Sequence, residues 1–418
     1  MTRQAPAPYC EATRSAGQRK LLANHILGQT VAMDFMDTPE HQLLRSTAAE
    51  IAAGFGHDYF VDQARSGGCT EALWQAIADQ GFLGVHLPEE YGGGGAGITE
   101  LAIVTEETAA QGCPLLLILV SAAICGELIA RFGSSEQKLN WLPGLCTGDK
   151  MAFAITEPDA GSNSHHISTT ARRDGDVYRI NGTKTFISGV DESDRLLVVT
   201  RTSKDEITGR AGISLFVVDS DAPGLTRQRI PVEMTIPEKQ FMLFFDNVEV
   251  SSDRLLGEEN EGLRIVFQGL NPERITGAAI CNGIGRYALS KAANYARDRM
   301  VWGVPIATHQ GIAHPLAAAK VELELARLMT TKAAWLHDHQ ASDPACGEAA
   351  NMAKYAAAEA SLHSLDAAIQ THGGNGMTTE YGLADMWGLA RLLRIAPVSR
   401  EMILNFVGSH SLGLPKSY

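Results

Sequence analysis

Thr156-Glu157-Pro158-Asp159-Ala160-Gly161-Ser162 ends an apolar, β-branched run in the middle of this chain. Gly373-Gly374-Asn375-Gly376 ends a long alanine-rich run near its C-terminus. The first stretch reads as a strand breaking into a turn. Pro158 and Gly161 set the bend, and Thr156 and Ser162 offer hydroxyls and main-chain donors to a flat polar ring. The second reads as a long helix stopped by glycine. Alone, each is an ordinary turn or cap. Together they mark the chain as helical, strand-rich and helical, in that order.

The runs 151–156, 177–180, 196–200 and 213–218 predict strands. Asn181-Gly182, between Ile180 and Thr183, predicts a hairpin turn. The middle section, 151–257, therefore reads as an all-β domain, a small barrel or sandwich. Before it, residues 34–150 read as a helical domain in which Thr38 caps the first helix and Pro39 takes its first position. The apolar run 115–125 is shorter than the roughly 20 residues of a membrane span, so it predicts a buried helix and no membrane crossing. After it, residues 258–418 predict helices over 262–300, 309–340 and 346–372, with a fourth beyond Tyr381, as an antiparallel bundle. Leu325, Leu328, Met329, Ala333 and Leu336 follow helical spacing and predict core.

The formal net charge of -13 argues against nucleic acid, which needs clustered Lys and Arg. Seven cysteines without a Cys-x-x-Cys pair predict reduced thiols, no metal site and a cytoplasmic setting. The glycines of 92–95 lack the spacing of a phosphate-binding fingerprint. Residues 1–33 are basic and acid-poor, and read as a disordered extension rather than a transit peptide.

From about Asp34 to Tyr418 these motifs resemble the acyl-CoA dehydrogenase family. The resemblance implies an α+β multi-domain fold: helical N-terminal domain, β-barrel or sandwich middle domain and C-terminal four-helix bundle. It implies FAD as cofactor, bound noncovalently between the β domain and the helices. Phe153, Ile155 and Thr156 match the family's flavin contacts, and Ser162 matches a contact shared between that turn and the CoA thioester arm. Phe186-Ile187-Ser188 matches the Trp-Ile-Thr or Trp-Ile-Ser triplet that stacks on the isoalloxazine, with Phe keeping the aromatic face. Arg299, Trp302 and Gln310 match a segment that reaches a neighbouring subunit's FAD. Gln370, Gly373 and Gly374 match the segment near the FAD adenosine. Ser399 and Glu401 stand where relatives carry a Thr and a Gln that contact FAD.

The base is where the sequence departs from many relatives. Their catalytic Glu lies in a Tyr-Glu-Gly-Thr segment, which here reads Ala396-Pro397-Val398-Ser399. A second branch, including isovaleryl- and long-chain-type enzymes, carries the base on the first long helix of the C-terminal domain. Leu270-Asn271-Pro272-Glu273-Arg274 matches that position. The resemblance thus implies Glu273 as the base, with Asn271 and Arg274 binding substrate. It implies α,β-dehydrogenation of an acyl-CoA in fatty acid β-oxidation, an electron-transfer flavoprotein as acceptor, and a homo-oligomer, most simply a tetramer. Two alternatives are an acyl-CoA oxidase or enoyl-CoA reductase, and a non-catalytic partner subunit. Glu273 opposes the last.

Overall fold

The first helix begins where its capping chemistry sits. In α1 (Pro39–Ser66) the Thr38 hydroxyl accepts from the His41 N–H at 3.2 Å, Pro39 takes the first turn, and Gly67 closes the helix in the left-handed conformation. The structure is a computed structural model that describes residues 36–204 and 211–416. The expectation for residues 1–33 lies outside them. α2 (Glu71–Ala78) and α3 (Ile98–Ala110) follow. The apolar run then forms a π-helical segment, Ile118–Gly126, buried at every position. α4 (Glu127–Phe132) and α5 (Ser135–Thr147) complete the helical part. No helix among the described residues is long and apolar enough to cross a membrane.

Eight strands come next: β1 (Met151–Ala154), β2 (Thr170–Asp174), β3 (Val177–Ser188), β4 (Arg195–Lys204), β5 (Ala211–Asp219), β6 (Leu225–Ile230), β7 (Gln240–Ser251) and β8 (Leu255–Leu256). They form one sheet in the order β6-β7-β3-β2-β4-β5-β8, with β1 parallel to β4. The order ends at β6 and β8, so the sheet curls without closing into a barrel. Along β4 the strand period decides which core each residue joins. Leu196 and Val198 enter a core enclosed by the sheet, while Leu197 and Val199 join the larger core shared with the helices.

Asn181-Gly182 is not a hairpin turn. β3 runs straight through it, with a register shift against β7 between Ile180 and Gly182. The Asn181 amide oxygen accepts the Asn247 N–H at 3.0 Å. Gly182 has φ 148°, and a Cβ there would lie 2.6 Å from the Thr169 Cα. Glycine is needed at a bulge where two backbones nearly touch. The β2–β3 turn lies earlier, at Gly175.

The last third holds α6 (Gly262–Asp298), a small hairpin of β9 (Met300–Val301) and β10 (Val304–Pro305), α7 (Gln310–Gln340), α8 (Pro344–His372), α9 (Trp387–Ile395) and α10 (Arg400–Phe406). Ala333 and Leu336 are core, as their spacing predicts. Leu325 and Leu328 are not: with Val321 they form an exposed apolar stripe on α7, Leu325 being 62% exposed. Helical spacing aligns these side chains on one face but does not say what covers that face.

An ion cluster fastens the first third to the last. Glu106 and Glu107 of α3 are buried. Arg286 of α6 donates to Glu106 at 2.8 Å and to Glu107 at 2.7 and 3.0 Å. Arg327 of α7 donates to Glu106 at 2.8 Å, and Arg45 of α1 to Glu107 at 2.9 Å. Removing Arg286 leaves each carboxylate one cation, Arg327 for Glu106 and Arg45 for Glu107, but takes three charge-assisted hydrogen bonds from the buried pair, at a cost of roughly 1.5–3 kcal/mol. Arg286→Met is therefore expected to lower the thermal unfolding midpoint by several degrees. A midpoint within one degree of the parent's would contradict this.

Candidate active site

Glu273 lies near the start of α6, directly after Pro272, which has no N–H for the helical ladder. The Glu273 side chain is 7% exposed, and its Oε2 is buried without a hydrogen-bond partner. Burial raises the carboxyl to about 8, against the opposing charges of Arg274 and Lys354. Cys125 of the π-helical segment faces it: burial first, then the Glu273 charge, pushes that thiol up. The Cys125 Sγ also lies 3.9 Å from the Met151 and Ala152 carbonyls of β1. One helical turn after Glu273, a Cβ on Gly277 would lie 3.3 Å from Leu119 and 4.0 Å from Pro397 Cδ. The carboxyl is thus held in a space bounded by α6, the π-helical segment and the 396–399 segment.

Arg274 is bound to the turn before it. Its Nη1 donates to the Asn271 amide oxygen at 3.1 Å, and Asn271 Nδ2 reaches Cys346 Sγ at 3.8 Å. Burial lowers the guanidinium, and its Nε is without a partner.

The 156–162 turn is built around one buried ion pair. Glu157 accepts from the Ser168 N–H and hydroxyl, both at 2.6 Å, from the Thr169 N–H at 3.0 Å and from Lys184 Nζ at 2.9 Å. Lys184 also donates to the Ile155 carbonyl at 2.9 Å. Burial alone would raise the Glu157 carboxyl, but Lys184 and the Ser168 donors outweigh it and hold it at about 2. Burial brings the Lys184 ammonium down to about 8. The Thr185 N–H donates to the Thr156 carbonyl at 2.9 Å, which brings Thr156 beside Phe186.

Phe153 is buried against the helices. Ile155, Thr156 and Ser188 are half-buried, and Ser162 is exposed. Phe186 has φ 55° and is 61% exposed. A left-handed bulky residue is strained, and such strain collects at ligand-contacting positions. The β3–β7 register shift between Lys184 and Ile187 brackets this residue. Ile187 faces the sheet's own core, so only its main chain is left for a ligand. The Ser188 hydroxyl pairs with the Gln240 amide at 2.9 Å.

Of the remaining predicted residues, all but Ser399 and Glu401 lie towards the far end of α6. Arg299 follows its last turn, about 39 Å along the axis from Glu273 at roughly 1.5 Å per residue. Arg299 and Asn375 line a cavity of about 490 Å³ with Tyr295, His372 and Tyr381. Trp302, at the β9–β10 tip, is 89% exposed with φ 52°. Gln310, Gln370, Gly373 and Gly374 are exposed. A Cβ on either of those glycines would meet nothing, whereas on Gly376 it would lie 2.6 Å from the Ile369 carbonyl oxygen. Gly376 is thus the glycine that packing requires. Ser399 caps α10 by accepting the Met402 N–H at 3.3 Å, and Glu401 is exposed beside Arg400.

Sequence models of the acyl-CoA dehydrogenase N-terminal, middle and C-terminal domains match residues 38–149, 152–248 and 260–412. The chain belongs to the acyl-CoA dehydrogenase family. It is 55% identical to acyl-CoA dehydrogenase FadE12 of Mycobacterium tuberculosis over 92% of this chain and 99% of that one. Butyryl-CoA dehydrogenase from Megasphaera elsdenii superposes with a TM-score of 0.86 at 28% identity, over 91% of this chain and all of its own (100%). A glutaryl-CoA dehydrogenase from Mycobacterium smegmatis, solved in complex with FADH2, gives 0.84 at 25% identity, over 91% and 96%.

Three polar residues around this acyl-CoA dehydrogenase site escaped the sequence reading: Lys184, Gln240 and Lys354. For Lys354 a signal existed. It lies on one stripe of α8 with Ala350, Ala357 and Ser361, all buried, so its charge had to face inward.

Glu157 contributes stability that is full above its ordinary value of 4.5 and is lost as pH falls through about 2. Glu157→Gln should flatten the acid limb of the stability curve over that window. It should also destabilise at neutral pH by roughly 3–5 kcal/mol, because Lys184 is left buried without its anion. Acid-unfolding curves that superimpose for the two proteins would contradict the assignment.

Proposed function

We propose that this chain uses FAD to oxidise an acyl-CoA thioester to the trans-2-enoyl-CoA, with Glu273 removing the α-proton. The observation that carries this reading is the buried Glu273 Oε2 that no donor satisfies. Glu157 is surrounded by donors, and Glu238, whose Oε2 is also unanswered, is at least held at Oε1 by the Leu116 N–H at 2.8 Å. A thioester α-proton is a weak acid, and a carboxylate freed of water is a stronger base toward it.

When bound, FAD supplies the two-electron oxidant that takes the β-hydride at N5. The chain's residues suit a flat polar ring: an exposed aromatic at Phe186 beside the Thr156 and Ser188 hydroxyls. Pro397 offers no N–H to the thioester carbonyl. The Val398 N–H is the next main-chain donor in that segment.

Arg299, Trp302, Gln310, Gln370, Gly373 and Gly374 serve the FAD of a second subunit. A five-carbon ribityl arm is far too short to cover the separation between Glu273 and Arg299. The exposed stripe of Val321, Leu325 and Leu328 supplies an apolar face for self-association into a tetramer. Electrons leave to an electron-transfer flavoprotein within β-oxidation. The six described cysteines are free, in keeping with a reducing cytoplasm.

Glu273→Gln should purify yellow and folded, yet bleach anaerobically with acyl-CoA at least 100-fold more slowly, on the order of what a general base supplies. Its stability should respond to pH in a defined sense. Ionising a buried carboxyl raised to about 8 costs folding energy between its ordinary 4.5 and that value. The Gln variant should therefore gain in unfolding midpoint over the parent as pH rises through that window. Bleaching at the parental rate would sink the base assignment.

A further inference from the structure

Lys354 is, with Arg274, one of two basic groups in this interior. It projects from α8 at 1% exposure, and its Nζ donates to the Val398 carbonyl at 2.6 Å. That carbonyl belongs to the residue after Pro397, which in turn neighbours the α6 face carrying Glu273 and Gly277. A single carbonyl does not compensate a desolvated ammonium, whose burial costs several kcal/mol. A carboxylate across the same space would.

Charged and titratable groups surround Lys354 from two helices. From α6 come Glu273, Arg274 and Cys281, and from α8 itself Glu359. Around Glu273 stand Arg274, Lys354 and Cys125. Glu359 is answered by Arg394 at 2.7 Å and Arg400 at 3.1 Å. Burial holds the Cys281 thiol at about 12, so it is uncharged at neutral pH. Arg274 repels Lys354. Glu273 is thus the one of these anions without other close ionic partners beyond its own neighbour Arg274.

We propose that Lys354 is a positioning residue for the base. Its buried ammonium eases the ionisation of Glu273 and, through the Val398 carbonyl, pins the 396–399 segment against the site. This rests on the reading of Glu273 as base. It also accounts for a segment that, with proline at 397, cannot be anchored by an N–H at that position. Burial pulls the ammonium down to about 8, so its protection of the carboxylate fades as pH rises past that point.

Three variants separate the two roles. Lys354→Gln removes the charge and keeps a donor for Val398. Lys354→Met removes both. Lys354→Arg keeps the charge. Each is purified as the flavin-containing protein, checked by its absorption spectrum and melting point, and mixed anaerobically with butyryl-, octanoyl- or isovaleryl-CoA, whichever bleaches the parent fastest. Without the positive charge the carboxyl is harder to ionise. The pH midpoint of the bleaching rate should therefore move alkaline by about one unit in the Gln variant, a roughly tenfold loss at neutral pH that recovers at higher pH. The Arg variant should keep the parental midpoint. If the Met variant does not fold, the Gln and Arg variants still decide the matter.

The same shift can be read without turnover. The stability difference between a Glu273→Gln protein and its parent grows with pH until the carboxyl is ionised. In the Lys354→Gln background it should stop growing at a higher pH. A Gln variant with the parental midpoint, slowed equally at every pH, would overturn the proposal while leaving Glu273 as base. A Glu273→Gln protein that bleaches normally would instead remove the reading on which the proposal rests.

Discussion

A carboxyl group kept dry between packed helices, with one oxygen unanswered, is the constraint around which this molecule is organised. Such a group is expensive, and a fold selected for stability alone would surround it with donors or replace it. Here the alternatives are closed off. Pro272 and Gly277 shape the helix on either side of Glu273, the π-helical segment walls one flank with Cys125, and the 396–399 segment closes another. The contrast with Glu157 is instructive. Both carboxyls are buried, but Glu157 collects three hydrogen bonds and a lysine and is held at about 2. Glu273 keeps an open oxygen and rises to about 8. One is held charged by its donors; the other is left free to exchange a proton, as the proposed function requires.

The length of α6 gives the second organising constraint. The helix carries Glu273 near its start and delivers Arg299 just past its end. Under the proposed function, the motifs at its far end serve a different cofactor from the one beside Glu273. The exposed Trp302 and the apolar stripe on α7 leave apolar surface in water, which the proposed self-association would cover.

Much of this was legible in the amino-acid sequence because short-range chemistry decides it. The Thr38 cap, the β-branched strands and the run of apolar residues at 115–125 all lie where local preference puts them. The misreadings have a common physical source. Asn-Gly fits a two-residue turn and a strand bulge equally well, and only the approach of Thr169 to Gly182 selects the bulge. Leu325 and Leu328 have the spacing of core residues, but spacing fixes a face and not its neighbour. The middle sheet's failure to close depends on which strands stay at the edges, a long-range matter. Lys354 reads as a solvated charge until its alanine neighbours are placed on the same buried stripe.

In the proposed reaction Glu273 takes a proton from the carbon beside the thioester carbonyl. Exchange of that proton with solvent measures the step by itself. A 3-thia acyl-CoA, which acidifies the α-position and cannot complete oxidation, is incubated with the flavin-containing protein in deuterium oxide. The α-position is then followed by mass spectrometry. The parent should incorporate deuterium, and the Glu273→Gln protein should do so no faster than buffer. Incorporation at the parental rate in the Gln protein would mean that another group removes the proton.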